Sequence, residues 1–160
     1  MRTSLAAAFA ALLLTLTAGV LAARATAIAF PAGYRSFTHV KSTLVGPHAP
    51  GFAANGGYHH FYANALAVEG YRTGKFPDGS ILVDDGLEAV EQGGIMREGA
   101  RRRVAVMVKD SKRFSATGNW GFETFPGDSR TGALSTEART ACQACHQNAG
   151  RDLVYSEIRK

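Results

Sequence analysis

The chain has 160 residues, with 18 lysines and arginines against 13 aspartates and glutamates, giving a formal net charge of +5. This length suits one domain with its own core and leaves no room for two. The modest positive charge does not indicate nucleic-acid binding. We interpret the one dense basic run, Arg101-Arg102-Arg103, as a solvated strand end rather than a docking patch.

The N-terminal segment has the pattern of a secretory signal peptide. Arg2 supplies a charged start, residues 5–21 form an apolar run, and Ala25-Thr26-Ala27 is a small-x-small cleavage site. We therefore predict a signal peptide over residues 1–27, a single domain over residues 28–160, a periplasmic location and no stable membrane anchor after cleavage. A retained transmembrane anchor is the alternative, because the run is close to membrane-spanning length.

Most elements of the predicted domain are strands, because β-branched and aromatic residues are concentrated in short runs between glycines and prolines. Trp120 and Phe122 are separated by one residue, which places two large aromatic side chains on one face of a sheet. The predicted strands are residues 36–45, 80–83, 104–108, 120–124 and 152–158.

Two helices are predicted. The first begins after Asn64, a good N-cap residue, and ends at Gly74. The second begins after Ser135, has Glu137 in its first turn, and continues into a cysteine motif near the C-terminus. The predicted fold class is therefore α+β, mainly β: an antiparallel sheet of about five strands with short flanking helices, one of which carries that motif.

The cysteine motif is Cys142-Gln143-Ala144-Cys145-His146, and C-x-x-C-H is the attachment signature of a c-type haem. Cysteines three apart on a helix share a face, so both thiols can reach the vinyl groups on one edge of a porphyrin. His146 extends that face and is the candidate proximal iron ligand. We predict one covalent haem c per chain; a disulfide or an accidental match is the alternative.

Other uses of the two cysteines fit less well. A redox-active C-x-x-C needs a βαβ context, and a zinc finger needs two further ligands at a similar spacing; the sequence shows neither. The predicted strands also argue against a four-helix haem protein, which needs four long amphipathic helices.

Five stretches, taken in order and spacing, resemble the cytochrome P-460 family and its relative cytochrome c′-beta. They are Tyr62-Ala63-Asn64, Tyr71-Arg72-Thr73-Gly74-Lys75-Phe76-Pro77-Asp78-Gly79, Val108-Lys109-Asp110-Ser111-Lys112-Arg113-Phe114, Gly118-Asn119-Trp120-Gly121-Phe122 and the C-x-x-C-H motif. The resemblance implies an antiparallel sheet with flanking helices, a homodimer, and a five-coordinate haem whose open face meets a small distal pocket.

The resemblance also implies which residues an active enzyme would need. The family enzymes oxidise hydroxylamine with a lysine cross-linked to the porphyrin and a distal glutamate. Asp84 stands at the lysine position and Ala105 at the glutamate position. A carboxylate cannot form the amine-to-porphyrin bond, and an alanine cannot relay a proton. The chain is therefore closer in chemistry to the cytochrome c′-beta branch, which binds small ligands such as nitric oxide, and whether it is an enzyme stays open.

Asp84 has two interpretations. If it faces the pocket, it can exchange a proton beside a bound peroxide, nitrogen oxide or water; if it points outward, it is an ordinary strand-end acid, and Asp85 is the neighbouring candidate for the same position. Phe52 and Phe61 are candidates to cap the distal face, although a core position is the commoner outcome for an aromatic residue.

Two more sets of residues bear on the haem. His59 and His60 are adjacent, so on a strand their imidazoles would point to opposite faces, and one of them is a candidate neighbour of a haem propionate. Met107 and Met96 are the methionines of the predicted domain.

Three functions follow from these residues. The first is an open iron site that binds a small diatomic or nitrogen-oxide ligand, with the redox partner protein unidentified. The second is a six-coordinate electron-transfer cytochrome with a methionine or histidine as sixth ligand. The third is a hydroxylamine-oxidising or peroxidase-like enzyme that uses Asp84.

Overall fold

The computed structural model describes residues 27–158, so the predicted signal peptide lies outside the described residues apart from Ala27. Within them, no helix is long and apolar enough to cross a membrane. The elements are β1 Thr38–Val45, α1 Phe52–Asn55, β2 Gly57–Ala63, α2 Ala65–Thr73, β3 Ile81–Gln92, β4 Ile95–Lys109, β5 Trp120–Pro126 and α3 Thr136–His146, with short 3-10 turns at Tyr34–Ser36 and Ser115–Thr117.

The five strands form one antiparallel sheet in the order β1-β2-β3-β4-β5, so every strand pairs with its neighbours in sequence. The predicted class, α+β and mainly β with about five strands, is confirmed. Strands β3 and β4 are much longer than predicted, because a Gly93-Gly94 turn with both φ angles positive closes them into a continuous hairpin. The tip of this hairpin, residues 89–98, pairs only with itself.

Both predicted helices and their caps are confirmed. Asn64 Oδ1 accepts a hydrogen bond from the Ala67 N–H at 2.9 Å and a second one from the Ile81 N–H at 3.0 Å, so the cap also ties α2 to β3. Gly74 ends α2 with φ 79°, a left-handed conformation that favours glycine. Ser135 Oγ accepts from the Ala138 N–H at 3.2 Å at the start of α3.

The predicted last strand over residues 152–158 is wrong. The segment makes one isolated bridge, between Arg151 and Val154. Asp152 and Leu153 have φ angles of 48° and 64°, which lie in the left-handed region and cannot continue an extended strand.

The core has one cluster on each face of the sheet. Trp120 and Phe122 lie in the same cluster, as their spacing predicted, with Leu82 of β3 and Ala67 and Phe76 from α2 and the turn after it. The other face is covered by Ile28 and Tyr34 of the N-terminal segment and by Phe114; its strand residues are Val83, Val104, Val106 and Phe125. Helix α3 packs along β5 on the Trp120 side, which places the C-x-x-C-H motif over that face.

Candidate functional site

Helix α3 presents Cys142, Cys145 and His146 to one cavity of about 520 Å³. Spacings of three and four residues put these side chains on one helical face. Both cysteines are free thiols. Cys142 is half-buried, and its burial raises the pKa of its thiol, whereas Cys145 is exposed. The three residues of the motif are therefore gathered around one space.

The imidazole of His146 is oriented through its Nδ1 atom. The Leu153 carbonyl oxygen lies 2.7 Å away, and because a carbonyl only accepts, Nδ1–H is the donor. In the neutral imidazole this leaves the lone pair on Nε2, the arrangement that metal-binding histidines use. The ring also contacts Phe122 and Tyr155, with centroid separations of 5.1 and 5.2 Å.

The Leu153 carbonyl is itself held by a set of contacts around Asp152. Trp120 Nε1 donates to the Asp152 carbonyl at 2.8 Å, and the Phe76 N–H donates to Asp152 Oδ2 at 3.0 Å. Lys109 Nζ donates to Asp152 Oδ1 at 2.6 Å and lies 4.9 Å from the centre of the Trp120 ring. These contacts fix the backbone of the two left-handed residues, Asp152 and Leu153, so that the Leu153 carbonyl faces His146.

The sheet forms the other side of the cavity. Phe61, Asp84, Ala105 and Thr124 are successive register partners across β2, β3, β4 and β5, and all four line the cavity. We call them the cavity row. Asp84 therefore faces the cavity, with 19 % of its side chain exposed.

Asp85 lies on the opposite face and is fully buried. It accepts hydrogen bonds from the guanidinium groups of Arg35 and Arg101, each with a contact at 2.8 Å. Its burial alone would raise its pKa, but the Tyr34 hydroxyl and the two guanidinium groups outweigh burial and hold the pKa of Asp85 below its usual range. Of the two adjacent aspartates, only Asp84 belongs to the cavity.

Asp84 is paired with a buried histidine. His59 Nδ1 lies 2.9 and 3.0 Å from the two carboxylate oxygens, and His59 Nε2 donates to the Asn55 carbonyl at 2.8 Å. The hydrogen bond that His59 makes to the Asp84 carboxylate raises the pKa of His59, against the opposing effect of burial. His60 points to the other face, where it contacts Ser42 and Glu98, so the two imidazoles diverge as predicted.

The basic run is not a solvated strand end, and that interpretation is corrected. Arg101 binds Asp85 and Asp128. Arg102 donates to the carbonyls of Ala53 and Gly56 at 2.8 and 2.9 Å. Arg103 donates to the Ala54 carbonyl and to Asn55 Oδ1, both at 3.0 Å, and its guanidinium is 3.7 Å from Asp84. Arg102 and Arg103 thus hold α1 against the sheet, and Arg103 lines the cavity.

The remaining candidate site residues differ in whether they line the cavity. Phe61 and Ala105 belong to the cavity row. Phe52 is 39 % exposed on α1 and is outside the set of described residues that line the cavity. Met107 lines the cavity and packs on the Trp120 cluster, whereas Met96 is 42 % exposed on the β3–β4 hairpin.

Arg103 and the Leu153 carbonyl belong to this site although no sequence pattern indicated them. Strand alternation could have found Arg103, two residues before Ala105, and it places His59, already a candidate beside the haem, on the same face as Phe61. Their pairing with Asp84 depends on the register of three strands, which no local pattern encodes. The Leu153 acceptor had no sequence signal, because it arises from left-handed backbone at ordinary side chains.

The residues present fit a haem. Within the described chain, no group of three or more His, Cys, Asp or Glu side chains is arranged to hold a bare metal ion, but a haem iron needs only one or two protein ligands. The cavity has the volume of an ordinary cofactor site, with two thiols and one oriented imidazole on one side. Much of its remaining surface is apolar: Phe61, Leu82, Val106, Met107, Phe122, Leu134 and Val154.

This fold and site define a class of mainly β proteins in which a C-terminal helix carries C-x-x-C-H beside one face of an antiparallel sheet. The family model described as Cytochrome P460 matches residues 31–156, and the chain belongs to this family. Membership implies a haem-binding cytochrome. Comparison with curated proteins finds no significant match.

Proposed function

We propose that this protein is an exported mono-haem c-type cytochrome with an open iron site that binds a small ligand, nitric oxide or a related nitrogen species. The observation that supports it most is the arrangement of the cavity: the thiols and the oriented imidazole lie on α3, and the cavity row, which contains no usual iron ligand other than a carboxylate, lies on the sheet.

Each residue has a distinct part in this proposal. Cys142 and Cys145 would form the two thioether bonds, and His146 would bind iron through Nε2 while Leu153 holds its Nδ1–H. When bound, the haem supplies an iron centre with redox activity and affinity for small ligands. Asp84 offers a hydrogen-bonding group to a ligand in the cavity, and Phe61 and Ala105 keep the space beside it apolar.

The packing of Met107 favours an open site over electron transfer. Among the lining side chains of the described residues, the Met107 thioether is the one that electron-transfer cytochromes commonly use as a sixth ligand. It is a register partner of Leu82 and Phe122 and packs against the core. Met107 would have to leave this packing to bind the iron as a sixth ligand, whereas an open iron site leaves Met107 where it is.

The test uses the holoprotein produced with haem-attachment machinery. We expect the denatured chain to keep the mass of one haem, and the reduced protein to show a five-coordinate spectrum and to take up carbon monoxide and nitric oxide. A six-coordinate, low-spin reduced spectrum without uptake of either gas would overturn the proposal.

A second candidate is peroxide turnover, favoured by the contact between Asp84 and His59. A carboxyl group linked to an imidazole can exchange the proton that cleavage of an O–O bond requires. Asp84→Ala is then expected to lower the rate with hydrogen peroxide while leaving haem attachment intact. Equal rates for the variant and the unmodified protein would remove this candidate.

The proposal extends to location and assembly. Residues 1–27 support export, and the family resemblance supports a homodimer. N-terminal sequencing of the protein recovered from a periplasmic fraction, followed by light scattering, tests both; an uncleaved chain in the cytoplasm, or a monomer at micromolar concentration, would contradict the corresponding part.

A further inference from the structure

Helix α3 lies against β5 with little apolar surface to hold it there. None of its 11 residues, all of which the structure describes, is buried, although Cys142, partly buried, packs against the Trp120 cluster. Most helices in proteins are stabilised by an apolar face packed against the rest of the fold. A helix without such a face depends on polar contacts for its position, and one set of these contacts meets at Glu123 of β5.

The Glu123 carboxylate is buried and hydrogen-bonded at both oxygens. Its side chain is 3 % exposed. Oε1 accepts from the N–H groups of Thr124 and Leu134, both at 2.9 Å, and Oε2 accepts from the Arg139 guanidinium. Burial acts to raise the pKa of Glu123, but these hydrogen bonds outweigh it and hold the pKa below its usual range. The carboxylate is therefore charged at neutral pH.

The segment that leads into α3 is fitted closely to this carboxylate. A Cβ atom at Gly132 would lie 2.5 Å from Cδ of Glu123, so a larger residue could not take that position without moving one of the two. The Ala133 N–H donates to the Thr124 carbonyl at 2.9 Å. Residues 132–134 thus lie directly against β5, which fixes where the helix begins.

Arg139 fixes the rotation of the helix about its axis. Besides its contact with Glu123, its Nε–H donates to the Phe122 carbonyl at 3.3 Å, so the guanidinium binds two neighbouring residues of β5. Arg139 precedes Cys142 by three residues and His146 by seven, spacings that place all three on one helical face. A helix held to β5 through Arg139 therefore turns Cys142 and His146 toward the cavity.

The other end of α3 is held by the chain that follows it. His146 donates to the Leu153 carbonyl, and the Tyr155 hydroxyl donates to the Cys145 carbonyl at 2.7 Å. Arg139 lies two turns before His146, a distance of roughly 10 Å along the helix axis. Two attachment points this far apart define the direction of α3 as well as its position.

We propose that Glu123 is a positioning residue of the haem site, which holds α3 through Arg139 and thereby sets the direction in which His146 presents Nε2 to the iron. This inference rests on the proposed function, because it concerns a covalent haem bound by His146. It deepens that function by assigning the residue of the sheet that governs the proximal ligand. Glu123 lines the cavity, but its oxygens are already bound by the helix and the segment before it.

The test compares the covalently loaded protein with Glu123→Gln, which preserves the shape of the side chain and removes its charge. Resonance Raman spectroscopy of the reduced protein measures the iron–histidine stretching frequency, which is expected to shift or broaden. Hydrogen exchange, followed by mass spectrometry, is expected to become at least about tenfold faster at the amides of residues 139–143, because a hydrogen bond to a charged group is weakened. Amides of β2, β3 and β4 are expected to stay within about threefold.

Three further variants make the result specific to this contact. Arg139→Gln is expected to reproduce both effects, and its combination with Glu123→Gln is expected to add little, because the two residues act as one pair. Arg139→Lys keeps a cation beside Glu123 and is expected to restore most of the original frequency. Glu157→Gln is the matched control, since Glu157 is exposed in the segment after α3, and should change neither measurement.

The outcomes separate this inference from the proposed function. An unchanged iron–histidine frequency in Glu123→Gln with haem attached overturns the inference, whatever its exchange rates. Equally faster exchange in α3 and in β2, β3 and β4 also overturns it, because that result is a loss of global stability. If Glu123→Gln does not fold, the same two measurements on Arg139→Gln decide. The proposed function is judged on the unmodified protein alone, by its covalent haem and its uptake of carbon monoxide.

Discussion

His146 Nδ1 donates a hydrogen bond to the carbonyl of Leu153, seven residues later in the chain. A carbonyl acceptor on this nitrogen fixes the tautomer and raises the electron donation of the other nitrogen toward a metal. The acceptor belongs to the second of two consecutive left-handed residues, Asp152 and Leu153, each of which costs on the order of 1–3 kcal/mol. The contacts of Lys109, Trp120 and Phe76 with Asp152 offset that cost.

Lys109→Met tests this support. Lys109 is buried, and its removal leaves Asp152 without its cationic partner, which we expect to lower the free energy of unfolding by about 3 kcal/mol. The shift of the Leu153 carbonyl is also expected to change the iron–histidine stretching frequency of the reduced holoprotein.

Denaturant titration and resonance Raman spectroscopy measure the two effects. Lys112→Met is the matched control, since Lys112 is exposed on the following turn and its loss should change stability by no more than about 0.5 kcal/mol. If both variants keep the original stretching frequency, Lys109 has no part in positioning the ligand.

The cysteines are expected to act independently in haem attachment. Cys142→Ser and Cys145→Ser should each leave one thioether bond, shift the reduced absorption maximum, and retain haem on a denaturing gel, because each thiol lines the cavity separately. The double variant should lose all covalent haem. Ala144→Ser on the same helix is the control. Covalent haem in the double variant would show that the motif is not the attachment site.

Substitution of Asp85 is expected to affect stability, and substitution of Asp84 is expected to affect ligand binding. Asp85→Asn should lower the free energy of unfolding by about 3 kcal/mol, because it breaks a buried ion pair with Arg35 and Arg101. The depressed pKa of Asp85 means that its contribution is present above the unfolded value of about 3.9 and is lost as the pH falls through the folded value.

Urea titrations at pH 7 and pH 3 measure this difference, with the optical spectrum recorded on the same samples. Asp85→Asn should keep the haem spectrum and the carbon monoxide affinity of the original protein. A changed carbon monoxide affinity in Asp85→Asn, with an unchanged affinity in Asp84→Asn, would mean that Asp85 and not Asp84 acts on the ligand.

The His59–Asp84 pair should stabilise the fold most at low pH. The pKa of His59 is raised in the folded state, so its contribution is fully present below the unfolded value of about 6.5 and is lost as the pH rises through the folded value. His59→Gln is therefore expected to cost more stability at pH 6 than at pH 9. His48→Gln, at an exposed loop residue, should show no such difference; an equal cost of His59→Gln at both pH values would contradict the raised pKa of His59.

Met107→Leu distinguishes an open iron from a six-coordinate one. The substitution keeps the volume of a side chain that packs against the core, so it should cost less than about 1.5 kcal/mol. With an open iron, the spectrum of both redox states and the reduction potential should stay unchanged. Loss of a low-spin spectrum in this variant would assign Met107 as the sixth ligand and favour electron transfer.

What could be predicted from the sequence is local. The caps at Asn64 and Ser135, the alternation of Trp120 and Phe122, and the spacing of the cysteine motif depend on residues within one turn or one strand. What was missed depends on distant partners. Arg103 was assigned to solvent because its acceptors are 48 to 49 residues away, and residues 152–158 were assigned to a strand because contacts with Lys109 and Trp120 override local preference.

The order of the sheet has a consequence for how the protein is assembled. All four strand pairings join consecutive strands, and the longest connection between two of them is residues 64–80, which includes α2. Contacts that are this local in the sequence favour fast formation of the sheet. The strands end at Pro126, and α3 and the Leu153 turn follow them in the chain. The sheet side of the cavity can therefore be complete while the cysteines are still unpacked and open to the attachment machinery, and the packing of α3 would close the site as the last step of maturation.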